Sequence, residues 1–310
     1  MNKTAFVFPG QGAQYAGMGK DFYESFKESR EIFHRANEAL GFDIRKIIFE
    51  GPDDDLSKTK ITQPALLTVS MAIYEALKKI DTAVVMGGLS LGEYSALTAA
   101  GAMDFETAVR LVYKRGSYMQ NAVPLGEGGM LALLGCRDEY ALALCRDVTG
   151  RYGLLEPANF NCPGQVVAGG KMSAIDKALD IAFRFNIKRA VKLQVSAPFH
   201  TSMLKPAGER LKKDLKEIIF RNPDRKIISN VDTEYHNVDE IAEKLEKQVY
   251  SPVRWEACVR KMIGEGVNTF VEIGPGKTLS GFIKKIDKNV KAINIENIQG
   301  FHAYLQFAGA

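Results

Sequence analysis

The sequence has few residues of the kinds that bind metals or crosslink chains. Among 310 residues it contains four cysteines and four histidines. No two cysteines form a CxxC pair, and the histidines lack the close spacing of metal ligands. We therefore expect neither disulfides nor a structural zinc, and we predict no metal and no cofactor. The cysteines are Cys136, Cys145, Cys162 and Cys258.

Long apolar runs and strong charge imbalance are also missing. No run reaches the roughly 18 apolar residues that a membrane-spanning helix needs, and the opening MNKTAFVFPG lacks the apolar core of a signal peptide. The net charge of +4 is mild. It suits an acidic partner, whereas nucleic-acid binding needs a denser basic stripe. We expect a cytoplasmic protein that binds neither membranes nor nucleic acids.

Short apolar runs alternate with helical patterns near both ends of the chain. Residues 5–8 and 83–86 are each followed by a glycine-containing turn, and helical patterns cover 21–40, 64–80 and the segment after Leu91. NTFVEIGPGKTLSGFIKKI adds another strand, turn and helix. Such alternation predicts an α/β fold with a parallel sheet, whose sites lie at the carboxyl ends of the strands.

The middle of the chain shows a different order of predicted strands and helices. Strand, helix, two strands, helix and strand follow one another over about 70 residues, an order typical of the ferredoxin-like arrangement. We predict a small subdomain over 122–196, inserted into a discontinuous main domain of 1–121 and 197–310. The final ENIQGFHAYLQFAGA shows no clear pattern.

A candidate nucleophile lies in the turn after the second strand. Gly88, Ser90 and Gly92 form a G-x-S-x-G pattern between an apolar strand and a helical run. Such a turn holds the serine hydroxyl clear of the sheet, and small residues relieve the crowding around it. The alternative is that Ser90 caps the helix, which would leave both glycines without a specific reason.

A serine nucleophile needs a base, and His200 has the most suitable position. It follows a predicted strand and precedes a probable helix, so it can face a cleft. The alternative is a partly buried histidine that caps the helix. His34 lies in a polar helical stretch, His302 in the patternless tail, and His236 in VDTEYHN, which predicts an exposed turn.

Arg115 lies on an otherwise apolar helix face. With Asp104 as its cap, the helix places Ala108, Val112, Arg115 and Met119 on one side. A buried arginine is costly unless a carboxylate meets it. That carboxylate belongs either to a structural partner or to an acidic ligand held by a bidentate clamp. Because Ser90 lies only 25 residues upstream, we favour the ligand.

The turn FPGQG after the first strand contains Gln11. A phosphate cradle is one interpretation, but no GK[ST] follows, so this is not a Walker motif. The alternative is that Gln11 offers a backbone N–H to an oxyanion beside Ser90.

Seven motifs together resemble one enzyme family. They are FPGQGAQ, GLSLGEYSAL around Ser90, KRG at 114–116, NFNCPGQVVAGG at 159–170, APFH at 197–200, KQVYSPVRW at 247–255 and EIGPGK at 272–277. In this order they resemble the malonyl-CoA:acyl-carrier-protein transacylases of bacterial fatty acid synthesis. The resemblance implies an α/β-hydrolase-like core with an inserted ferredoxin-like lobe, in agreement with the pattern above.

The resemblance also implies a ping-pong mechanism. Ser90 attacks the thioester of malonyl-CoA with His200 as base, and backbone N–H groups of Leu91 and Gln11 hold the oxyanion. Arg115 grips the free carboxylate of the malonyl group. The phosphopantetheine thiol of an acidic acyl carrier protein then accepts the acyl group, and the enzyme is expected to be a monomer.

Other positions match the family less directly. The resemblance implies that the backbone carbonyl of Gln248 orients the imidazole, and it places Asn159 and Asn161 near the cleft. The family commonly has histidine where this chain has Leu89, so the local hydrogen bonding differs here. Phe199 accompanies malonyl rather than methylmalonyl selection in polyketide relatives.

Three alternative functions remain open from the sequence. A stand-alone acyltransferase that loads a polyketide carrier protein would share every motif. A serine thioesterase or hydrolase fits G-x-S-x-G, but it would have little use for a carboxylate clamp. A catalytically silent module that binds carrier proteins would not need Ser90, Arg115 and His200 together.

Overall fold

Strands in two separate sheets organise the chain. The computed structural model describes residues 3–80 and 82–309. Within these residues, the strands are β1 (Thr4–Phe8), β2 (Ala83–Gly88), β3 (Gly128–Leu134), β4 (Leu155–Cys162), β5 (Gln165–Lys171), β6 (Arg189–Leu193), β7 (Lys226–Ile227), β8 (Thr269–Ile273) and β9 (Lys291–Ile295).

Helices cover the sheets and connect their strands. Within the same described residues, they are α1 (Lys20–Ser25), α2 (Lys27–Leu40), α3 (Ile44–Glu50), α4 (Asp53–Leu56), α5 (Thr59–Leu77), α6 (Leu91–Ala99), α7 (Phe105–Gln120), α8 (Asp138–Tyr152), α9 (Met172–Ile181), α10 (Lys205–Lys216), α11 (Ile241–Gln248), α12 (Trp255–Gly264), α13 (Thr278–Ile286) and α14 (Ile298–Ala308). None of the helices in the described part of the chain combines the length and the apolarity needed to cross a bilayer.

The larger sheet is parallel and has the strand order β7-β2-β1-β8-β9. Its central strand β1 sends Phe6 and Phe8 into one apolar core and Ala5 and Val7 into another, so both faces are covered. Phe8 is in register with Gly88. The turns that follow β1 and β2 therefore leave the sheet side by side, as expected for a site at this edge.

The smaller sheet is antiparallel and has the order β4-β5-β3-β6. Residues alternate between its faces: Leu131 and Leu133 pack with α8 and α9 in a small core, whereas Met130 and Ala132 face the main core. One face of this sheet is therefore anchored by its own helices and the other is turned towards the larger sheet. The mixed α/β fold with a parallel core agrees with the sequence prediction.

Two helix predictions need correction, and one segment without a prediction is helical. The helix expected over 21–40 is two helices, because Phe26 is extended (φ −121°, ψ 130°). The helix expected from Pro64 begins at Thr59, with the proline inside it. The tail without a clear pattern forms α14, whose Phe301 and Tyr304 are buried in the main core.

Candidate active site

Ser90 stands on a sharp turn between β2 and α6. Its backbone has φ 53° and ψ −101°. A Cβ atom on Gly88 would lie 2.1 Å from the carbonyl carbon of Gly92, and one on Gly92 would lie 2.0 Å from the carbonyl oxygen of Phe8. Both glycines are therefore required by close backbone contacts. Within the described residues, the Ser90 side chain makes no capping hydrogen bond to α6, so the capping alternative lacks support.

His200 lies directly against this serine. Its Nε2 is 2.8 Å from Ser90 Oγ, and its Nδ1 is 2.7 Å from the backbone oxygen of Gln248. Because a carbonyl oxygen can only accept, Nδ1 carries the proton and Nε2 is free to accept the serine proton. Complete burial, with a further contribution from the charge of Arg115, lowers the pKa of His200 to about 3. The ring is therefore neutral near pH 7.

Arg115 is buried in the same site, with only 1% of its surface exposed. Nη2 donates to Ser90 Oγ at 3.1 Å and to Gln248 Oε1 at 2.9 Å, and Nη1 donates to Gln63 Oε1 at 2.8 Å. The guanidinium also lies 5.0 Å from the centroid of the Tyr94 ring. No carboxylate in the described part of the chain forms an ion pair with Arg115, and its Nε has no partner there. The structure thus gives no support to a structural carboxylate partner.

The helix face predicted around Arg115 is confirmed. Ala108, Val112 and Met119 are buried beside it on α7, and the side chain of Asp104 accepts the N–H of Thr107 at the start of that helix. Burial lowers the pKa of the guanidinium. Arginine nevertheless stays protonated in proteins, so a positive charge lies beside the candidate nucleophile.

Two backbone N–H groups flank the serine. Gln11 follows β1, Leu91 begins α6, and both residues line the same cavity as Ser90. Across residues 3–80 and 82–309, no acceptor bonds either N–H. The N-terminus of α6 adds the favourable end of its dipole. Free backbone N–H groups of residues that line this cavity are the donors that an oxyanion beside Ser90 would need.

The smaller sheet forms the opposite wall of this cavity, whose volume is about 250 Å³. Asn159 and Asn161 on β4 both line the cavity. Asn161 Oδ1 is buried and, among the described residues, has no hydrogen-bond partner. Leu89 and Phe199 add apolar lining. The cavity lining thus combines polar side chains, among them Ser90, Arg115, His200 and the two asparagines, with apolar ones.

Sequence reasoning missed several polar residues that line the cavity or lie behind it. Asn230 Oδ1 accepts the N–H of Ser90 at 2.6 Å, and Gln63 holds Arg115 as described above. The prediction of an exposed turn at His236 is wrong: the ring is buried, and its Nε2 is 2.8 Å from Glu93 Oε1. Asn230 follows β7, a neighbour of β2, so its place after a strand was the available signal.

The structure brings together seven of the eight predicted site residues around one cavity. They are Gln11, Ser90, Leu91, Arg115, Asn159, Asn161 and His200. Gln248 lies behind the cavity and contacts its members from there. In the described residues, no group of three or more His, Cys, Asp or Glu side chains is placed to hold a metal ion.

Comparison with known proteins places the chain in a family. A sequence model of the acyl transferase domain matches residues 5–301. The malonyl CoA-acyl carrier protein transacylase of Bacillus subtilis is 44% identical over 99% of this chain and 97% of its own length. The crystal structure of that transacylase from Clostridium perfringens superposes with a TM-score of 0.95 at 46% identity, covering 98% of this chain and 96% of the other.

A third relative is a malonyl-transacylase solved in complex with its type II PKS acyl-carrier protein, at TM-score 0.96 and 38% identity over 99% of this chain and 100% of the other. These likenesses cover nearly the whole chain and far exceed what a shared fold alone requires. The chain therefore belongs to the acyl transferase family and, within it, to the malonyl CoA-acyl carrier protein transacylases.

Proposed function

We propose that this enzyme transfers the malonyl group of malonyl-CoA to the phosphopantetheine thiol of an acyl carrier protein, through an ester on Ser90, and so supplies fatty acid synthesis. One observation carries the proposal. The hydroxyl of Ser90 donates to His200 and accepts from Arg115, a buried cation with no carboxylate at ion-pair distance among the described residues. A serine nucleophile next to an unpaired arginine suits an acyl group with its own carboxylate.

In the first half-reaction, Ser90 attacks the thioester carbonyl while His200 Nε2 accepts the hydroxyl proton. The oxyanion lies against the N–H groups of Gln11 and Leu91. The tetrahedral intermediate then collapses, the carbon–sulfur bond breaks, and His200 returns the proton to the CoA thiolate. The carbonyl of Gln248 keeps the imidazole in the required tautomer throughout.

Arg115 has two consequences for this step. Its charge pairs with the malonyl carboxylate, which holds the acyl group in one orientation where water attacks the ester poorly. Its charge is also one cause of the low pKa of His200. A bound carboxylate offsets that charge, so binding of malonyl-CoA should raise the pKa of His200 and strengthen the base.

In the second half-reaction, the carrier-protein thiol attacks the ester carbonyl and His200 accepts the thiol proton. The tetrahedral intermediate collapses, the ester carbon–oxygen bond breaks, and His200 returns the proton to Ser90 Oγ as the malonyl-carrier thioester leaves. The mechanism needs no metal and no cofactor, because malonyl-CoA and the carrier's phosphopantetheine are both substrates. The mild positive charge of the chain suits an acidic carrier protein. We further propose that the enzyme is a cytoplasmic monomer without nucleic-acid or membrane partners.

We also infer the domain organisation from this family. The segment 122–196 is a ferredoxin-like subdomain inserted into an α/β-hydrolase-like catalytic domain of 1–121 and 197–310. The order β3-α8-β4-β5-α9-β6 and the separate small core support it. Residues 1, 2, 81 and 310, which these ranges include, lie outside the described part of the chain.

A second candidate function differs only in the carrier protein. One similar structure is a complex with a type II PKS acyl-carrier protein, so loading of a polyketide carrier is the alternative. Assays with carriers of both kinds distinguish them by relative kcat/KM. A thioesterase or hydrolase is less consistent with the buried arginine, and it would release free malonate instead of malonyl-carrier.

The deciding experiment is to trap and map the acyl-enzyme. The wild-type protein is incubated with malonyl-CoA, digested, and analysed by mass spectrometry; we expect the malonyl mass on the peptide containing Ser90. Ser90→Ala should form no adduct and should lose transfer by about 10⁴-fold or more. An adduct on another residue, or an undiminished transfer rate in Ser90→Ala, would overturn the proposal.

A further inference from the structure

A carboxylate without a lysine or arginine partner lies directly beneath the nucleophile. Glu93, in the first turn of α6, is completely buried. Its Oε1 is 2.8 Å from His236 Nε2, and its Oε2 accepts from the backbone N–H of Asn230 at 2.9 Å and from Gln248 Nε2 at 2.8 Å. Among the described residues, His236 is the only basic side chain within ion-pair distance. A buried carboxylate is costly to retain, and the nearby helix N-terminus offsets part of that cost.

One branch from this carboxylate reaches the backbone of Ser90. The third residue of a helix is often a glutamate whose side chain bonds the N–H of the capping residue. Here the hydrogen bonds run through Asn230, which lies between the Glu93 carboxylate and the backbone N–H of Ser90. Its Oδ1 accepts the N–H of Ser90 at 2.6 Å, and its Nδ2 donates to the carbonyl of Gly88 at 2.9 Å. Glu93 thus fixes the backbone of Asn230, whose side chain fixes both ends of the strained turn.

The other branch reaches both remaining groups of the site. Gln248 Nε2 donates to Glu93 and also to the carbonyl of Ser90 at 3.0 Å. Because a carboxylate only accepts, the amide nitrogen must face Glu93 and the amide oxygen must face Arg115. The backbone oxygen of the same glutamine holds His200. A single glutamine oriented by Glu93 therefore contacts the nucleophile, the base and the arginine.

We propose that Glu93 is a positioning residue for acylation. Through Asn230 and Gln248 it holds Ser90, His200 and Arg115 in the relative positions that the reaction needs. It touches neither substrate nor the reacting atoms. His236 occupies the remaining carboxylate oxygen and keeps water from it. The proposal rests on the proposed function, because it concerns the acylation of Ser90.

Two substitutions separate hydrogen bonding from charge. Glu93→Leu keeps similar volume but offers no acceptor, so Asn230 and Gln248 lose their common partner. Glu93→Gln keeps an oxygen for both of them, and its amide group faces His236, whose ring can present an unprotonated Nε2 in the other tautomer. Glu106→Leu is a matched control, because it also removes a carboxylate that accepts two hydrogen bonds, here from Arg35 Nε at 2.6 Å and Nη2 at 3.0 Å. Glu106 lies in the first turn of α7 and outside the cavity lining.

The measurement is the rate constant of malonyl-Ser90 formation at saturating malonyl-CoA, by rapid quench and mass spectrometry, with folding checked by circular dichroism. A displacement of about 1 Å at reacting groups can cost about 100-fold. We expect Glu93→Leu to lose on the order of 100-fold, and Glu93→Gln and Glu106→Leu to stay within about 5-fold of wild type. Recovery in the glutamine variant is a readout that general destabilisation would not give.

Three results would overturn the inference. They are a folded Glu93→Leu protein that acylates at the wild-type rate, a Glu93→Gln protein as slow as the Glu93→Leu protein, and an equal loss in Glu106→Leu. If Glu93→Leu does not fold, Asn230→Ala and Gln248→Leu interrupt the two branches separately. Each variant should acylate about 10-fold more slowly than wild type. Full activity in both would overturn the inference. Failure of the proposed function itself is distinct, because the wild-type protein would then form no malonyl-Ser90 ester.

Discussion

The two sheets contribute to the same cavity in different ways. The larger, parallel sheet presents polar groups from the turns and helices that follow its strands, among them Gln11, Ser90 and Arg115. The smaller, antiparallel sheet presents side chains from within its strands, such as Met130, Ala132 and Asn161. Turns can hold unusual backbone angles, as at Ser90, whereas strand interiors cannot easily do so.

This difference suggests a division of labour between the two sheets. Groups that need a free backbone N–H or a strained backbone lie at the carboxyl ends of parallel strands, where helix N-termini also point. Strand residues of the smaller sheet offer a stiff wall with alternating side chains. We therefore expect changes on the parallel side to alter which acyl group reacts and how fast, and changes on the antiparallel side to alter affinity.

The largest effect is expected from Arg115→Ala. Truncating one member of a buried charge pair costs about 2–5 kcal/mol, so the ratio of kcat/KM for malonyl-CoA to that for acetyl-CoA should fall by about 30-fold or more. The ratio is the informative quantity, because Arg115 also contacts Ser90 and the absolute rates will both change. Arg115→Lys keeps a positive charge but not the bidentate geometry of the guanidinium, so its ratio should lie between those of wild type and Arg115→Ala. An unchanged ratio in Arg115→Ala would rule out the carboxylate clamp.

A smaller effect is expected from Asn161→Leu in the antiparallel sheet. Asn161 Oδ1 is buried without a partner among the described residues, so it can accept a hydrogen bond from bound substrate. Loss of one such bond is worth about 1 kcal/mol, which should raise KM for malonyl-CoA by about 5- to 10-fold and leave the saturating rate nearly unchanged. Lys192→Ala, an exposed position on β6, serves as the control. A collapse of the saturating rate would contradict the division between the sheets.

The smallest effect concerns stability and pH. Because the pKa of His200 is lowered from 6.5 to about 3 by burial and by Arg115, the unfolded chain binds more protons than the folded one between these values. The contribution of neutral His200 to the free energy of unfolding is therefore fully present above pH 6.5 and is lost as the pH falls. Between pH 8 and 5.5 the loss is about 1 kcal/mol.

The measurement is the free energy of unfolding of wild type minus that of His200→Asn, at both pH values. The difference between the two proteins is needed because Glu272 changes the stability in the opposite direction. Burial raises the pKa of Glu272 to about 7, so its contribution to the free energy of unfolding is present at low pH and lost as the pH rises. A difference that is constant from pH 8 to 5.5 would show that the pKa of His200 is not lowered.

Much of the fold and of the site follows from local patterns. The glycines around Ser90 and the apolar face that contains Arg115 each lie within one turn or one helix, so periodicity alone indicates them. The two strands followed by turns predicted that Gln11 and Ser90 would lie side by side. The residue that a histidine contacts across the fold leaves no local pattern in the sequence. His236 was therefore expected in an exposed turn and is instead buried against Glu93.

Local sequence patterns are enough to predict the parallel α/β core, the strand–turn–helix at Ser90, and the unusual position of an arginine on an apolar helix face. The hydrogen bonds that hold these parts together depend on the folded arrangement of distant segments. Gln248 lies 133 residues from Arg115 and 158 from Ser90 along the chain, and Asn230 lies 140 from Ser90. Hydrogen bonds across such separations have no period in the sequence, because they depend on where the elements pack and not on the residues beside them.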